Sequence, residues 1–149
     1  MTTPRDLIKQ AIRLGACDDI HRLFNLGELN DVTWGELVPA FYTPKVLEFC
    51  RDKTSPTMEM LSEIPEEAGT AFNLFIDRDG VSAGHRVLIA GESEVRVFCS
   101  KPEETYHIVV MHGAKAVIFA CEYAVVEVTE IGEGTEVEFI KQDGTAVRL

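Results

Sequence analysis

From about Phe72 onward, apolar residues recur in i,i+2 pairs, and this restricts the second half of the chain to short β-strands. The pairs are Val87 and Ile89, Val95 and Val97, Ile108 and Val110, Val117 and Phe119, Val126 and Val128, Val137 and Phe139, and Val147 and Leu149. Their first members lie roughly ten residues apart on average. Turn-forming residues fill the gaps: Asp79-Gly80, Gly91, Pro102, Gly113, Gly132, Gly134 and Asp143-Gly144. Two architectures repeat in this way. One is an antiparallel meander, sandwich or jelly-roll barrel. The other is a β-solenoid with two strands in each coil of about 20 residues. The solenoid is preferred, because stacked rungs require β-branched or aromatic residues at the same two places after a small residue. The sandwich or barrel is the alternative.

Side-chain parity adds a second constraint. Arg96, Glu127, Glu138 and Arg148 fall between pair members, so the outer repeats have one wet face. Val109 and Ile118 occupy the same place in the central repeats, which are therefore apolar on both faces and need a cover. The expected cover is the first half of the chain, laid across the middle of the sheet.

That first half reads as short helices. Thr3-Pro4-Arg5-Asp6 supplies an N-cap, a proline at the first helical position and an acid three residues after the cap. Leu7, Ile8, Ile12 and Leu14 follow at helical spacing, and Gly15 ends the run. A second helix is expected from Asp18 and Asp19, through Ile20, Leu23 and Phe24, to Gly27. Thr33-Trp34-Gly35-Glu36 is another capping box, and Pro39 limits the helix it starts. Thr43-Pro44 and Ser55-Pro56 read as two further starts. The first leads to Val46, Leu47, Phe49 and Cys50; the second leads to Met58, Met60, Leu61 and Ile64, with Pro65 ending the helical part. The fold class is thus α+β: a helical cap over residues 1–68 packed on an all-β repeat region over residues 69–149.

Charge excludes some functions. The 149 residues carry a net charge of −11, which repels phosphate backbones and anionic membrane surfaces. Thr2-Thr3-Pro4-Arg5-Asp6 does not resemble a secretion signal. The four cysteines, Cys17, Cys50, Cys99 and Cys121, are scattered without a Cys-x-x-Cys pair, as expected of reduced thiols in a cytoplasmic protein.

Three stretches carry a resemblance. They are Asp6 to Cys17; Thr33 to Val38 with Val46 to Cys50 and Ser55-Pro56; and the Gly-led strands from about Val81 to Leu149. In these the chain resembles uncharacterised small proteins of gut-bacterial genomes and their mobile elements. The resemblance implies a helical cap followed by solenoid-like rungs. It implies no activity and carries over no functional residue.

Few residues suggest chemistry. Leu74 to Val81, with Asp77, Asp79 and Gly80, looks like the first motif of haloacid-dehalogenase-type phosphatases, in which the first Asp attacks phosphorus beside Mg²⁺. That chemistry needs an α/β sheet, whereas the residues that follow read as β, so Asp79-Gly80 is taken as a tight hairpin turn. His21, His85, His107 and His112 are the histidines. His107 and His112 are the weak metal candidates of a cupin-like barrel, although they differ in parity and form no His-x-His pair. Glu103-Glu104 and the run Glu133, Glu136, Glu138 would attract a divalent cation or a basic partner, and a solvated loop and a charged strand face explain them equally well. Trp34, Phe41 and Tyr42 are expected at the contact between helical cap and sheet.

The sequence therefore assigns no catalytic residue and no cofactor. The expected function is a non-enzymatic protein-interaction or assembly module, associated with phage or mobile elements. A cupin-like metal-binding or small-molecule-binding barrel is the alternative. The expected partner is a protein or a second copy, paired as a homodimer through the C-terminal strand edge at Val147 to Leu149, and not nucleic acid or membrane.

Overall fold

A computed structural model describes residues 1–15 and 32–149. The helix expected between Asp18 and Gly27, together with Cys17 and His21, lies outside the described residues. The chain divides into two compact units, Met1–Ala68 and Gly69–Leu149.

The first unit is built from capped helices. In α1 (Pro4–Arg13) the Thr3 hydroxyl accepts from the Asp6 N–H at 3.2 Å, and the Asp6 carboxylate accepts from the Thr3 N–H at 2.8 Å. The same reciprocal box, Thr33 with Glu36, opens α2 (Trp34–Phe41), which ends two residues after Pro39. These boxes satisfy N–H groups that the first helical turn leaves orphaned. Ile8 of α1 is fully buried, with Ala11, Ile12, Val32, Leu37 and Ala40 packed around it. Next come α3 (Pro44–Lys53) and α4 (Met58–Ser62). The Thr2 N–H and hydroxyl donate to the carbonyls of Glu63 and Met60, at 2.8 and 2.7 Å, fastening the chain start beside α4.

Two starts and stops, at Ser55 and Pro65, differ from the sequence reading. Ser55 does not cap α4. Its N–H closes the end of α3 on the Cys50 carbonyl, and Thr57 is the N-cap, accepting from the Met60 N–H. Thr43 is the N-cap of α3 and Pro44 its first residue, as the sequence indicates, although the Thr43 hydroxyl makes no cap bond and donates to the Ala40 carbonyl at 2.7 Å. Pro65 does not end the helical part but precedes a further helix, α5 (Glu66–Ala71), with its carbonyl accepting from the Ala68 N–H. Proline fits the start of a helix as well as its end, since an N-terminal N–H has no partner to lose.

The second unit is a parallel β-solenoid. Its strands are β1 (Leu74–Ile76), β2 (Gly80–Ser82), β3 (Arg86–Ala90), β4 (Glu94–Cys99), β5 (Tyr106–Met111), β6 (Lys115–Ala120), β7 (Val125–Ile131), β8 (Glu136–Lys141) and β9 (Val147–Arg148). Odd strands form one sheet in the order β1-β3-β5-β7-β9, and even strands form the other, β2-β4-β6-β8. Every pairing is parallel, which excludes the antiparallel sandwich and the jelly-roll barrel. The rungs are regular. Glu94 stands over Lys115 and Lys115 over Glu136, so each coil takes 21 residues along this sheet. The first coil is shorter, with Leu74 over Leu88, 14 residues on.

Phe75, Val87, Ile89, Ile108 and Val110 from one sheet face Val95, Val97, Ala116, Ile118 and Ala120 from the other to form the solenoid core. Burying each larger aliphatic side chain contributes about 1.5–3 kcal/mol. Leu88 of β3 and Val109 and Met111 of β5, on the opposite parity, are buried as well, so these strands are apolar on both faces.

Two of the i,i+2 pairs point the other way from the sequence reading. In β6 it is Ile118, flanked by Ala116 and Ala120, that enters the core, while Val117 and Phe119 face outward. In β9, Arg148 takes the inward parity as the partner of Val126, and Val147 and Leu149 are exposed. A strand apolar on both faces has no polar residue to fix its parity, and the register with β4 decides it instead.

Candidate functional site

The Asp77-Arg78-Asp79 segment is the arc joining β1 to β2, and those two strands lie in different sheets, so it is not a hairpin turn. Its carboxylates hold the next arc. Asp77 Oδ1 accepts from the Glu92 N–H and Asp79 Oδ1 from the Glu94 N–H, both at 2.8 Å. Between them the Arg78 N–H donates to Ser93 Oγ at 2.8 Å, and that hydroxyl donates on to the Ala90 carbonyl. Both acids are therefore engaged with backbone, and the likeness to a phosphatase motif reflects an arc that stitches two coils together.

Asp77 is also left-handed, at φ 48°. The stacked positions that follow the next three odd strands, Gly91, His112 and Gly132, share positive φ at 72°, 53° and 84°. Each bends the chain out of one sheet toward the other, a conformation that Gly, Asn, Asp and His adopt most readily. His112 is thus an arc residue.

His107 lies at the other end of β5 from His112, five residues earlier. At about 3.3 Å per residue the two stand roughly 16 Å apart, and the structure does not bring them together. His107 belongs to a rung ladder instead: it pairs in register with Arg86 and Glu127, and its Nδ1 lies 3.6 Å from Glu127 Oε2. His85 stacks on the ring of Tyr106 at 4.1 Å, and the Tyr106 hydroxyl accepts from the N–H groups of Ser100 and Lys101. Among the described residues, no group of three or more His, Cys, Asp and Glu side chains is placed to hold a metal ion. Burial pushes the thiols of Cys50 and Cys99 up to about 12, which keeps them protonated and unreactive near neutral pH.

The feature with the capacity to bind is the C-terminal end of the solenoid. The even sheet stops at β8. The N–H groups at its two ends, Glu136 and Gln142, donate to the Ala114 and Ala120 carbonyls on the β6 side, at 3.0 and 2.9 Å. Strand alternation then turns the N–H groups of Val137, Phe139 and Lys141 to the far side, where no strand pairs among the described residues. Val137, Phe139 and Val128 are core residues left half-buried because no further rung covers them. Arg148 partly covers the opening, with its guanidinium carbon 5.8 Å from the centre of the Phe139 ring.

The terminal coil is also where the acid collects. Glu127, Glu130, Glu133, Glu136 and Glu138 face a single Lys141 between Val125 and Lys141, whereas the coil beneath, Tyr106 to Ala120, has Lys115 and no acid. On the outer face of the even sheet the ladders read Glu94, Lys115, Glu136; Arg96, Val117, Glu138; and Phe98, Phe119, Ile140. Lys115 Nζ lies 3.8 Å from Glu94 Oε1, and the Phe98 and Phe119 rings stack at 5.0 Å. Sequence reasoning placed Glu133, Glu136 and Glu138 in a cluster but missed these ladders. The signal was the constant spacing of 21 residues, which shows only when the coils are aligned.

These features define the chain's class: a two-sheet parallel β-solenoid preceded by short capped helices, in which β8 is paired on one side only among the described residues. In comparison with known proteins, no family model, curated protein or solved structure matches the chain. No helix among the described residues is long and apolar enough to cross a membrane.

Proposed function

We propose that this chain is a non-enzymatic interaction or assembly module of the cytoplasm, which binds a protein at the C-terminal end of its solenoid. The observation that carries this reading is the far side of β8, where, among the described residues, no strand pairs with three N–H groups and Val137 and Phe139 are half-buried. An added strand would satisfy the backbone groups and cover the apolar ones together, which is how strand-addition partners bind. The reading extends to an origin in phage or mobile elements, which is supported by the resemblance of the three sequence stretches. The cytoplasmic assignment is supported by the free thiols of Cys50, Cys99 and Cys121.

The test is affinity capture from the native host with the wild-type chain and with Val137→Lys, which places a charge in the uncovered core. The reading expects a protein held in stoichiometric amount by the wild type and lost by the variant, with the variant still folded, as circular dichroism and a cooperative thermal transition will show. Capture of the same proteins by both, or of none by either, contradicts it.

A further inference from the structure

We infer that the occupant of the β8 edge is an extended basic strand of another protein, with cations at alternate positions and apolar residues between them. This rests on the reading of the solenoid end as the binding surface, and it names the partner's chemistry. The ladders dictate what a further rung must carry. Opposite Glu136 the column runs acid, base, acid, and Lys115 is already shared with Glu94 below, so the next position calls for a cation. Opposite Glu138, which stands on the apolar Val117, a cation is again the residue that relieves an unbalanced acid. Opposite Ile140, the column of Phe98, Phe119 and Ile140 continues with an apolar residue. On the inner face, Val137 and Phe139 take apolar residues that close the core. The incoming strand therefore reads basic, apolar, basic, apolar, apolar.

A second copy does not supply this pattern. Two β8 edges side by side bring Glu136 and Glu138 of both chains into one patch, and like charges across paired strands destabilise. The solenoid's first even strand, Gly80-Val81-Ser82, offers no cation for a head-to-tail contact. Charge thus turns the edge away from itself and toward a basic partner. Such complementarity sets the choice of partner more than raw affinity does.

The experiment uses the full chain and two short synthetic peptides, one alternating lysine with valine and one alternating glutamate with valine. Binding is followed by fluorescence anisotropy and by amide hydrogen exchange. The lysine peptide is expected to bind about tenfold or more tightly than the glutamate peptide at low salt, with the margin shrinking as salt is added. It should slow exchange at Val137, Phe139 and Lys141. The double variant Glu136→Lys, Glu138→Lys, whose substitutions lie on the exposed face, should invert the preference. Equal binding of both peptides, no binding of either, or a preference unchanged in the double variant overturns the inference. So does a concentration-dependent dimer that protects these same amides in the free protein. A host protein that is lost on Val137→Lys but held unchanged by the double variant would leave the proposed function standing and remove the basic strand.

Discussion

Asp77 and Asp79 show how one pair of residues supports two different readings. In sequence they sit where a phosphoryl-transfer nucleophile and its acid–base partner would sit, after three apolar residues and before a glycine. In the structure each carboxylate accepts a backbone N–H from the next coil. Each of Asp77→Ala and Asp79→Ala should therefore cost about 0.5–2 kcal/mol, the range for losing a side-chain cap on a backbone N–H. Denaturant midpoints measure this. Asp77→Asn keeps an acceptor oxygen and should cost less, which is the opposite of what a nucleophile would show in a phosphate-release assay. Asp143 does the same work on the other edge of the solenoid. Its carboxylate accepts from the Thr145 hydroxyl and from the N–H groups of Glu122 and Thr145, and these bonds hold it below its ordinary value of 3.8. A carboxyl whose pKa is lower in the folded state stabilises the fold above its unfolded pKa, and that contribution is lost as pH falls through the folded value. Stability should therefore fall with acid below pH 3.8, and more shallowly in Asp143→Asn, as urea midpoints measured across that range will show. Cys50 and Cys99, held protonated by burial, should resist iodoacetamide in the native protein at pH 8 and react once it is unfolded, as read by peptide mass spectrometry. The bonds between coils were not legible beforehand, because they join residues 15 or 21 positions apart whose meeting depends on the coil length.

At the scale of the element, the sequence was read well wherever a local signal acts alone. Thr3 with Asp6 and Thr33 with Glu36 are reciprocal boxes set by four consecutive residues, and both formed. Thr43-Pro44 opened a helix as read, whereas at Ser55-Pro56 the Ser55 N–H closes the preceding helix on the Cys50 carbonyl and the next N-cap falls at Thr57, two residues on. Strand existence followed from the i,i+2 period, whereas strand parity followed only where one face is polar. β4, with Glu94 and Arg96 outward, could be oriented from sequence; β6 could not, since Val117, Ile118 and Phe119 are all apolar and only its register with β4 puts Ile118 inside. Ile118→Ala should accordingly cost about 2–5 kcal/mol, the range for emptying a core aliphatic site. Phe119→Ala, on the outer face, should cost less. Thermal or urea unfolding of the two variants ranks them, and the opposite order would mean the parity is reversed.

At the scale of the whole molecule, the repeat length was the decisive information. A spacing near ten residues admits both a meander and half a coil. What separates them is whether residues two strands apart carry matching columns: Val95, Ala116 and Val137 inside, and Phe98, Phe119 and Ile140 outside. The candidate site was less legible than the fold. Glu136 and Glu138 were visible as acids, but their importance comes from standing on β8, above Lys115 and Val117, with no strand paired beyond it among the described residues. The account therefore depends on β8 being paired on one side only, within an all-parallel sheet. Residue-resolved amide hydrogen exchange of the free protein tests this most directly. A period of two is predicted along β8, with Glu136, Glu138 and Ile140 protected and Val137, Phe139 and Lys141 exchanging at close to open-chain rates. Uniform protection of all six amides in the dilute free protein would contradict it.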